Sequence, residues 1–176
     1  MQIMPYLKMS LLVTSLVSVV PAPAFADIQA IGWIEHVKVS TANLVFNAKI
    51  DTGADNSSIN ASNIEMYQHS NGSKHVKFSV ENRDGVRSDF NLPLVRITHI
   101  KRKGAEPLNR PVVSMNLCIG NTLKTVEVNL ANRNNFKYHM LVGRTYLKDA
   151  YLVDVNKKYT TEQNCVPDPL AANKNF

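Results

Sequence analysis

The sequence predicts an all-β domain, a small closed β-barrel with one or two short helical turns. Three observations predict it. Short runs alternate apolar and polar residues, the period of a half-buried strand. Turn residues interrupt these runs at close intervals, as in "STAN" at 40–43, "NRDG" at 82–85 and "GN" at 120–121. No stretch is both long and 3.6-periodic, which leaves room for helical turns but not for packed helices.

Each element follows in chain order. "AIGWIEHVKV" alternates Ile31, Trp33, Val37 and Val39, and "STAN" turns it into "LVFNAKI". After the turn at 51–53, "SSINA" is a further strand. "SNIEMYQ" opens on Ser62, a good N-cap, and is expected to form a short helical turn. "HVKFSV" alternates Val76, Phe78 and Val80 and leads into the Asp-Gly hairpin signal at 84–85. "LPLVRITHI" and "RPVVSMNLCI" are two longer strands joined by "KRKGAEPLN". "TVEVNL" follows the turn at 120–121. "MLV" at 140–142 is a brief buried strand, "RTYLK" one helical turn, and "YLVDV" the closing strand. From Lys157 the composition becomes polar, and a loosely held tail is expected.

The chain has 176 residues and a formal net charge of +6. Residues 1–26 have the order of a secretory signal peptide: Lys8 in the n-region, "MSLLVTSLVSVV" as an apolar core, and "AFA" ending at Ala26 as a cleavage site. The alternative is an uncleaved anchor, against which the "PAPAFA" run argues by breaking a continuous helix. Residues 27–160 then form one domain and 161–176 a polar tail; two domains would not fit in that length. Cleavage would lower the charge to +5, and no second apolar run approaches the length of a membrane span. The protein is therefore expected to be exported, and periplasmic in a double-membraned bacterium. The basic residues are scattered apart from "KRK" at 101–103. That pattern fits a solvated surface or an acidic substrate better than nucleic acid. Export permits a disulfide between Cys118 and Cys165, but sequence separation does not decide whether the two thiols meet.

The chemistry centres on "AKIDTGAD" at 48–55. The strand ending at Ile50 delivers Asp51 into a turn. Thr52 adds a hydroxyl, and Gly53 lets a backbone N–H approach the carboxylate with no Cβ between. Asp-x-Gly is also ordinary turn chemistry, the acid capping its own turn. About ninety residues later stands "MLVGRTYL", two apolar residues, a glycine and an arginine.

Together these blocks resemble the retroviral-type, retropepsin-like aspartic proteases, and with "RPVV" and "YLVDV" a bacterial group often named ATP-dependent zinc proteases. The resemblance runs from about Trp33 to Val155. It implies the retropepsin type of barrel, with Leu141, Val142 and Gly143 packed beneath the Asp-Thr-Gly loop. The zinc and ATP in that group's name find no support in the residues, so no cofactor and no metal are expected: the histidines are scattered, and neither His-Glu-x-x-His nor a phosphate-binding Gly-Lys loop is present. Asp51 would be the catalytic acid and base, Thr52 a hydrogen bond across a dimer axis, and Gly53 part of the cleft wall. Asp55 and Arg144 would form an ion pair behind the site. The hairpin "VENRDGVRSDF", with Asp84 and Gly85 at its turn, would be the flap, or else a plain surface hairpin.

Amide hydrolysis by carboxylates needs one ionised and one protonated, and two at hydrogen-bond distance provide both because like charges that close do not both ionise. The chain holds one Asp-Thr-Gly, so a peptidase of this type must be a homodimer. Ala54 stands where a hydroxyl would favour the charged carboxylate, and useful activity is expected between about pH 4 and 7. The substrate would be a peptide or protein. The alternatives are a non-catalytic peptide- or protein-binding module with this fold, and a metal-dependent hydrolase, for which ligands are missing.

Overall fold

The structure is a computed structural model that describes residues 28–102 and 104–165. The expected signal peptide and the last residues of the expected tail lie outside the described residues. Within them the protein is all-β, with one short α-helix and one 3-10 turn. No described helix is long and apolar enough to cross a membrane.

Eleven strands run in the order β1 (Gln29–Gly32), β2 (Ile34–Val39), β3 (Leu44–Ile50), β4 (Ser57–Gln68), β5 (Lys74–Glu81), β6 (Arg87–Pro93), β7 (Arg96–Arg102), β8 (Ala105–Ile119), β9 (Thr122–Ala131), β10 (Met140–Val142) and β11 (Tyr151–Asp154). The 3-10 turn Ser40–Ala42 joins β2 to β3, and α1 (Arg144–Leu147) follows β10. The pairings β10–β3–β2–β8–β9–β4 return to β10, so these strands form a hydrogen-bonded ring. Strands β5 and β6 extend from the second half of β4, β7 lies on β8, and β1 pairs with β11 in a separate two-stranded sheet.

Alternation explains the core. In β3, Leu44, Phe46, Ala48 and Ile50 are buried while Val45, Asn47 and Lys49 are exposed. Val37, Val39, Val113, Leu117, Val128 and Met140 join them inside. Burying each such side chain is worth about 1.5–3 kcal/mol, so the ring is held chiefly from within.

Four local expectations are corrected. Residues 62–68 are strand, not a helical turn: Ser62 pairs with Ser79 and Tyr67 with His75. A bulge between Ser62 and Glu65, with Asn63 left-handed at φ 51°, absorbs the cap-like signal, and β5 satisfies the backbone more completely than one helical turn would. "LPLVRITHI" is not one strand; it breaks after Pro93, where the chain leaves β5 and joins β8. The first strand also breaks, at Trp33, whose N–H reaches Lys157 O and whose carbonyl accepts Ile50 N–H.

The fourth correction concerns the end of the chain. Residues 157–165 are held, including the part assigned to the tail. The Glu35 side chain is fully buried and accepts from Thr160 N, Thr160 Oγ1, Thr161 N, Thr161 Oγ1 and Gly32 N at 2.7–3.2 Å. Burial alone would raise the Glu35 pKa, but the bonds from Thr160, Gly32 and Thr161 outweigh it and hold the carboxyl below its ordinary value. A Cβ at Gly32 would lie 2.6 Å from Lys157 O, so this close approach requires glycine. Cys118 and Cys165 form a disulfide with a Cα–Cα distance of 6.1 Å. Polar composition misled here because the segment is held by hydrogen bonds and a covalent bridge rather than by apolar burial.

Candidate active site

Strand β10 lies between β3 and β4. Met140, Leu141 and Val142 pair in parallel with Ala48, Lys49 and Ile50, and antiparallel pairing joins Met140 to Ile59 and Leu141 to Ser58. The Asp-Thr-Gly turn therefore leaves β3 directly beside "MLVG". Asp51 N donates to Val142 O at 2.9 Å, and Ala54 N closes the turn onto Asp51 O at 3.2 Å.

The segment after β10 latches the loop from behind. Arg144 N donates to Ala54 O at 2.9 Å and Thr145 N to Asp55 O at 3.0 Å. Gly143 N donates to Ser57 Oγ at 3.2 Å. The Arg144 guanidinium donates through Nη1 to Thr52 O at 2.8 Å and through Nη2 to Asp55 Oδ1. Asp55 and Arg144 thus form an ion pair, and the arginine holds both ends of the turn.

Asp51 itself is 27% exposed, within reach of water. Gly53 N donates to Asp51 Oδ1 at 3.1 Å, and Lys49 Nζ lies 3.8 Å from Asp51 Oδ2. Thr52 and Gly53 are exposed at the tip. A single chain presents one carboxylate of the motif at this place.

Three arginines that sequence reading did not single out surround this loop. Arg96 and Arg110, with Thr98 and Ile100, share a cavity of about 290 Å³ with Ala54, Asp55 and Leu141. Arg96 donates through Nε and Nη2 to Glu127 Oε2 at 2.9 and 2.7 Å. Arg110 Nη1 donates to Asn129 Oδ1 at 3.2 Å, while its Nε is buried with no hydrogen-bond partner among the described residues. Burial pushes the Arg110 guanidinium below its ordinary value. Arg133 is buried and its Nε donates to Tyr138 O at 3.3 Å. Burial lowers the Arg133 pKa, the charge of Arg110 lowers it further, and the charge of Asp51 opposes both. These cations are far apart in sequence, and no local motif marks them.

The hairpin carrying Asp84 and Gly85 is present, with Gly85 left-handed at φ 78°. Asn82 Nδ2 donates to Val45 O and Arg83 Nη2 to Phe136 O. Val45 stands six residues before Asp51 along β3, about 20 Å at the rise of a strand. The hairpin that borders the Asp51 loop is β7–β8, through Arg96, Thr98, Ile100 and Arg110. Among the described residues, no group of three or more His, Cys, Asp or Glu side chains is placed to hold a metal ion.

Comparison with known proteins places this geometry among relatives. The RimB-like family, described as retropepsin-like aspartic endopeptidase RimB, matches residues 30–164. A probable alpha-L-glutamate ligase of Shewanella pealeana is 30% identical over 115 residues, covering 64% of this chain and 25% of the ligase. One from Desulfotalea psychrophila is 30% identical over 112 residues, covering 61% and 24%. The chain thus spans about a quarter of the length of these curated relatives. The crystal structure of Lpg0085, a Legionella pneumophila protein of unknown function, is 32% identical, with a TM-score of 0.65 over 76% of this chain and 98% of that one. With the Asp-Thr-Gly turn seated beside "MLVG", and a family match across the whole described domain, the chain belongs to the RimB-like family of retropepsin-like proteins.

Proposed function

We propose that the protein is an exported aspartic endopeptidase that hydrolyses acidic peptide segments between the two Asp51 carboxylates of a homodimer. The observation that carries this reading is the latched Asp51 loop. Backbone bonds from Arg144 and Thr145, and the Arg144 side chain, hold the turn while Asp51 stays accessible to water. Rigid positioning of a reacting group is the contribution such a scaffold makes to rate.

In the dimer, the ionised Asp51 takes a proton from water as the oxygen attacks the scissile carbonyl carbon. The protonated Asp51 of the second copy gives its proton to the carbonyl oxygen, forming a gem-diol. The C–N bond then breaks, one carboxyl returns a proton to the departing nitrogen, and carboxylic acid and amine leave. Thr52 and Gly53, exposed at the loop tip, would meet their counterparts across the axis. The ring of strands serves as a barrel of the retropepsin type, and the β7–β8 hairpin would cover the cleft in place of the Asp84–Gly85 hairpin.

An acidic substrate is supported by Arg96 and Arg110 beside the loop and by Arg133, which feels the Asp51 charge, above all by the buried Arg110 Nε that no group among the described residues satisfies. A guanidinium fork matches a carboxylate in geometry and charge. The relatives named as glutamate ligases act, by that name, on an acidic residue. Export rests on the sequence of residues 1–26, and the Cys118–Cys165 disulfide accords with an oxidising compartment.

A non-catalytic binding module is the second reading, and Lys49 favours it. Its ammonium lies 3.8 Å from Asp51, so in a lone chain the carboxylate has a cation for a partner and no acid. One experiment separates the two readings: cleavage of a Glu-rich peptide and of a neutral peptide library by the wild type and by Asp51→Asn. The peptidase reading expects cleavage that favours the Glu-rich peptide and vanishes in the variant. Equal cleavage by both proteins, or binding without cleavage by either, would remove it.

A further inference from the structure

A large cavity among the described residues lies away from Asp51, along strand β6. It measures about 960 Å³ and is lined by Ser88, Phe90 and Leu92, by Asp89, Asn91 and Pro93, and by groups from outside the strand. Successive residues of a strand point to opposite faces, so a cavity lining one face would meet every second residue. This one meets all of 88–93 and therefore runs along the strand's edge.

That edge is open. β6 is terminal in its sheet and pairs only with β5 among the described strands. The register tells which backbone groups face outward. Asn82 N donates to Val86 O at 3.0 Å, and Leu94 N to Lys74 O at 2.9 Å, at the two ends of the β5–β6 pairing. Hydrogen-bonded pairs alternate in an antiparallel ladder, so Ser88, Phe90 and Leu92 bond to β5. Arg87, Asp89 and Asn91 turn their N–H and C=O groups toward the cavity side, and Pro93 adds a carbonyl with no N–H. Thr41 and Ala42 of the 3-10 turn also line the cavity, as do His69 and His75, whose ring centroids are 4.6 Å apart. His75 Nδ1 is buried with no hydrogen-bond partner among the described residues.

We propose that this groove binds an extended peptide segment of another protein, which adds to the edge of β6 as a further strand. Alternating donors and acceptors at strand spacing are matched by a polypeptide backbone, the mode in which main-chain bonds give affinity and side-chain pockets give selectivity. The volume is within the range of a peptide-sized ligand site. Its lining is chemically unlike the Asp51 site. The lining holds no lysine or arginine, and its one carboxylate, Asp89, is already bonded by Ser79 Oγ and Arg87. Phe90, His69 and His75 supply aromatic surface. The segment accepted here carries apolar or aromatic side chains and no acids, the opposite of the acidic peptide proposed for the Asp51 site. Thr41 and Ala42 precede β3, and Asp51 follows it, so the two sites are separated by the length of that strand, about 20 Å.

The test uses the full-length Asp51→Asn protein, which retains the groove, and a library of capped heptapeptides lacking Asp and Glu. Selected peptides are measured against this protein and against versions that also carry Thr41→Trp, which places a bulky side chain in the cavity lining, or Asn91→Pro, which deletes an outward N–H that no described strand uses. The expected result is saturable binding, weakened about tenfold or more by either change and by N-methylation of alternate peptide nitrogens, with slowed amide exchange at Asp89 and Asn91. Thr41→Trp in the wild-type background should leave cleavage of Glu-rich peptides unchanged. No enriched peptide, binding indifferent to N-methylation, or self-association that Thr41→Trp abolishes would each overturn the proposal. Loss of Glu-rich cleavage in Asp51→Asn bears on the catalytic reading alone.

Discussion

Gly143 passes so close to Asn56 that a Cβ built on it would lie 2.6 Å from the Asn56 carbonyl carbon and 2.7 Å from its oxygen. The neighbour is backbone, which does not swing away. Gly143 has an extended φ of −92°, so conformation does not demand glycine; space does. Gly143→Ala must push the Asp51 loop away from β10. The expected cost is about 1–3 kcal/mol in urea unfolding, with a loss of peptidase activity larger than the stability change explains.

Arg144 and Asp55 give a contrasting case. Their side chains are 51% and 78% exposed, and an exposed pair contributes little to stability. Asp55→Asn should change the unfolding free energy by less than about 1 kcal/mol. Arg144→Ala also removes the bond to Thr52 O, and so should lower kcat more than Asp55→Asn does while leaving thermal unfolding nearly unchanged.

The Glu35 carboxyl ties stability to pH. Its folded-state pKa is depressed below the unfolded one, so its contribution is present above the unfolded value and is lost as pH falls through the folded value. In unfolding measurements below about pH 4.5, the wild type should lose stability that Glu35→Gln never had. At neutral pH the glutamine variant should be weaker by about 1–3 kcal/mol, because its amide faces Thr160 and Thr161 N–H groups with a donor.

Much of the fold was legible because alternation and turns are local. Val76, Phe78 and Val80 fell into the core, and "MLV" became the strand beside Asp51. Residues 62–68 were misread because a local N-cap signal at Ser62 competes with pairing to β5, which is visible only in three dimensions. The held segment at 157–165 escaped notice because its partner, Glu35, is more than a hundred residues away. For the same reason the spacing of Asp51, Gly143 and Arg144 could be read, being two compact motifs, while Arg110 and Arg133 could not.

Those arginines yield a specificity prediction. Arg110→Met keeps the stem's apolar contacts and removes the guanidinium. KM for a Glu-rich peptide should rise about tenfold or more, with little change in KM for a neutral peptide, and raising salt should weaken the wild type more than the variant.

The disulfide closes a loop between residues 47 apart in sequence, worth up to about 4 kcal/mol of unfolded-state entropy. Cys118→Ser with Cys165→Ser should lower the unfolding free energy by about 2–4 kcal/mol, measured under non-reducing conditions against the wild type.

The most direct measurement of the central claim mixes wild type with Asp51→Asn at constant total concentration, allows the subunits to exchange, and follows cleavage of a Glu-rich peptide. If hydrolysis needs Asp51 from both copies, hybrid dimers are inactive and the rate falls as the square of the wild-type fraction. A rate that falls in simple proportion to that fraction would mean that one Asp51 suffices, and would contradict the account.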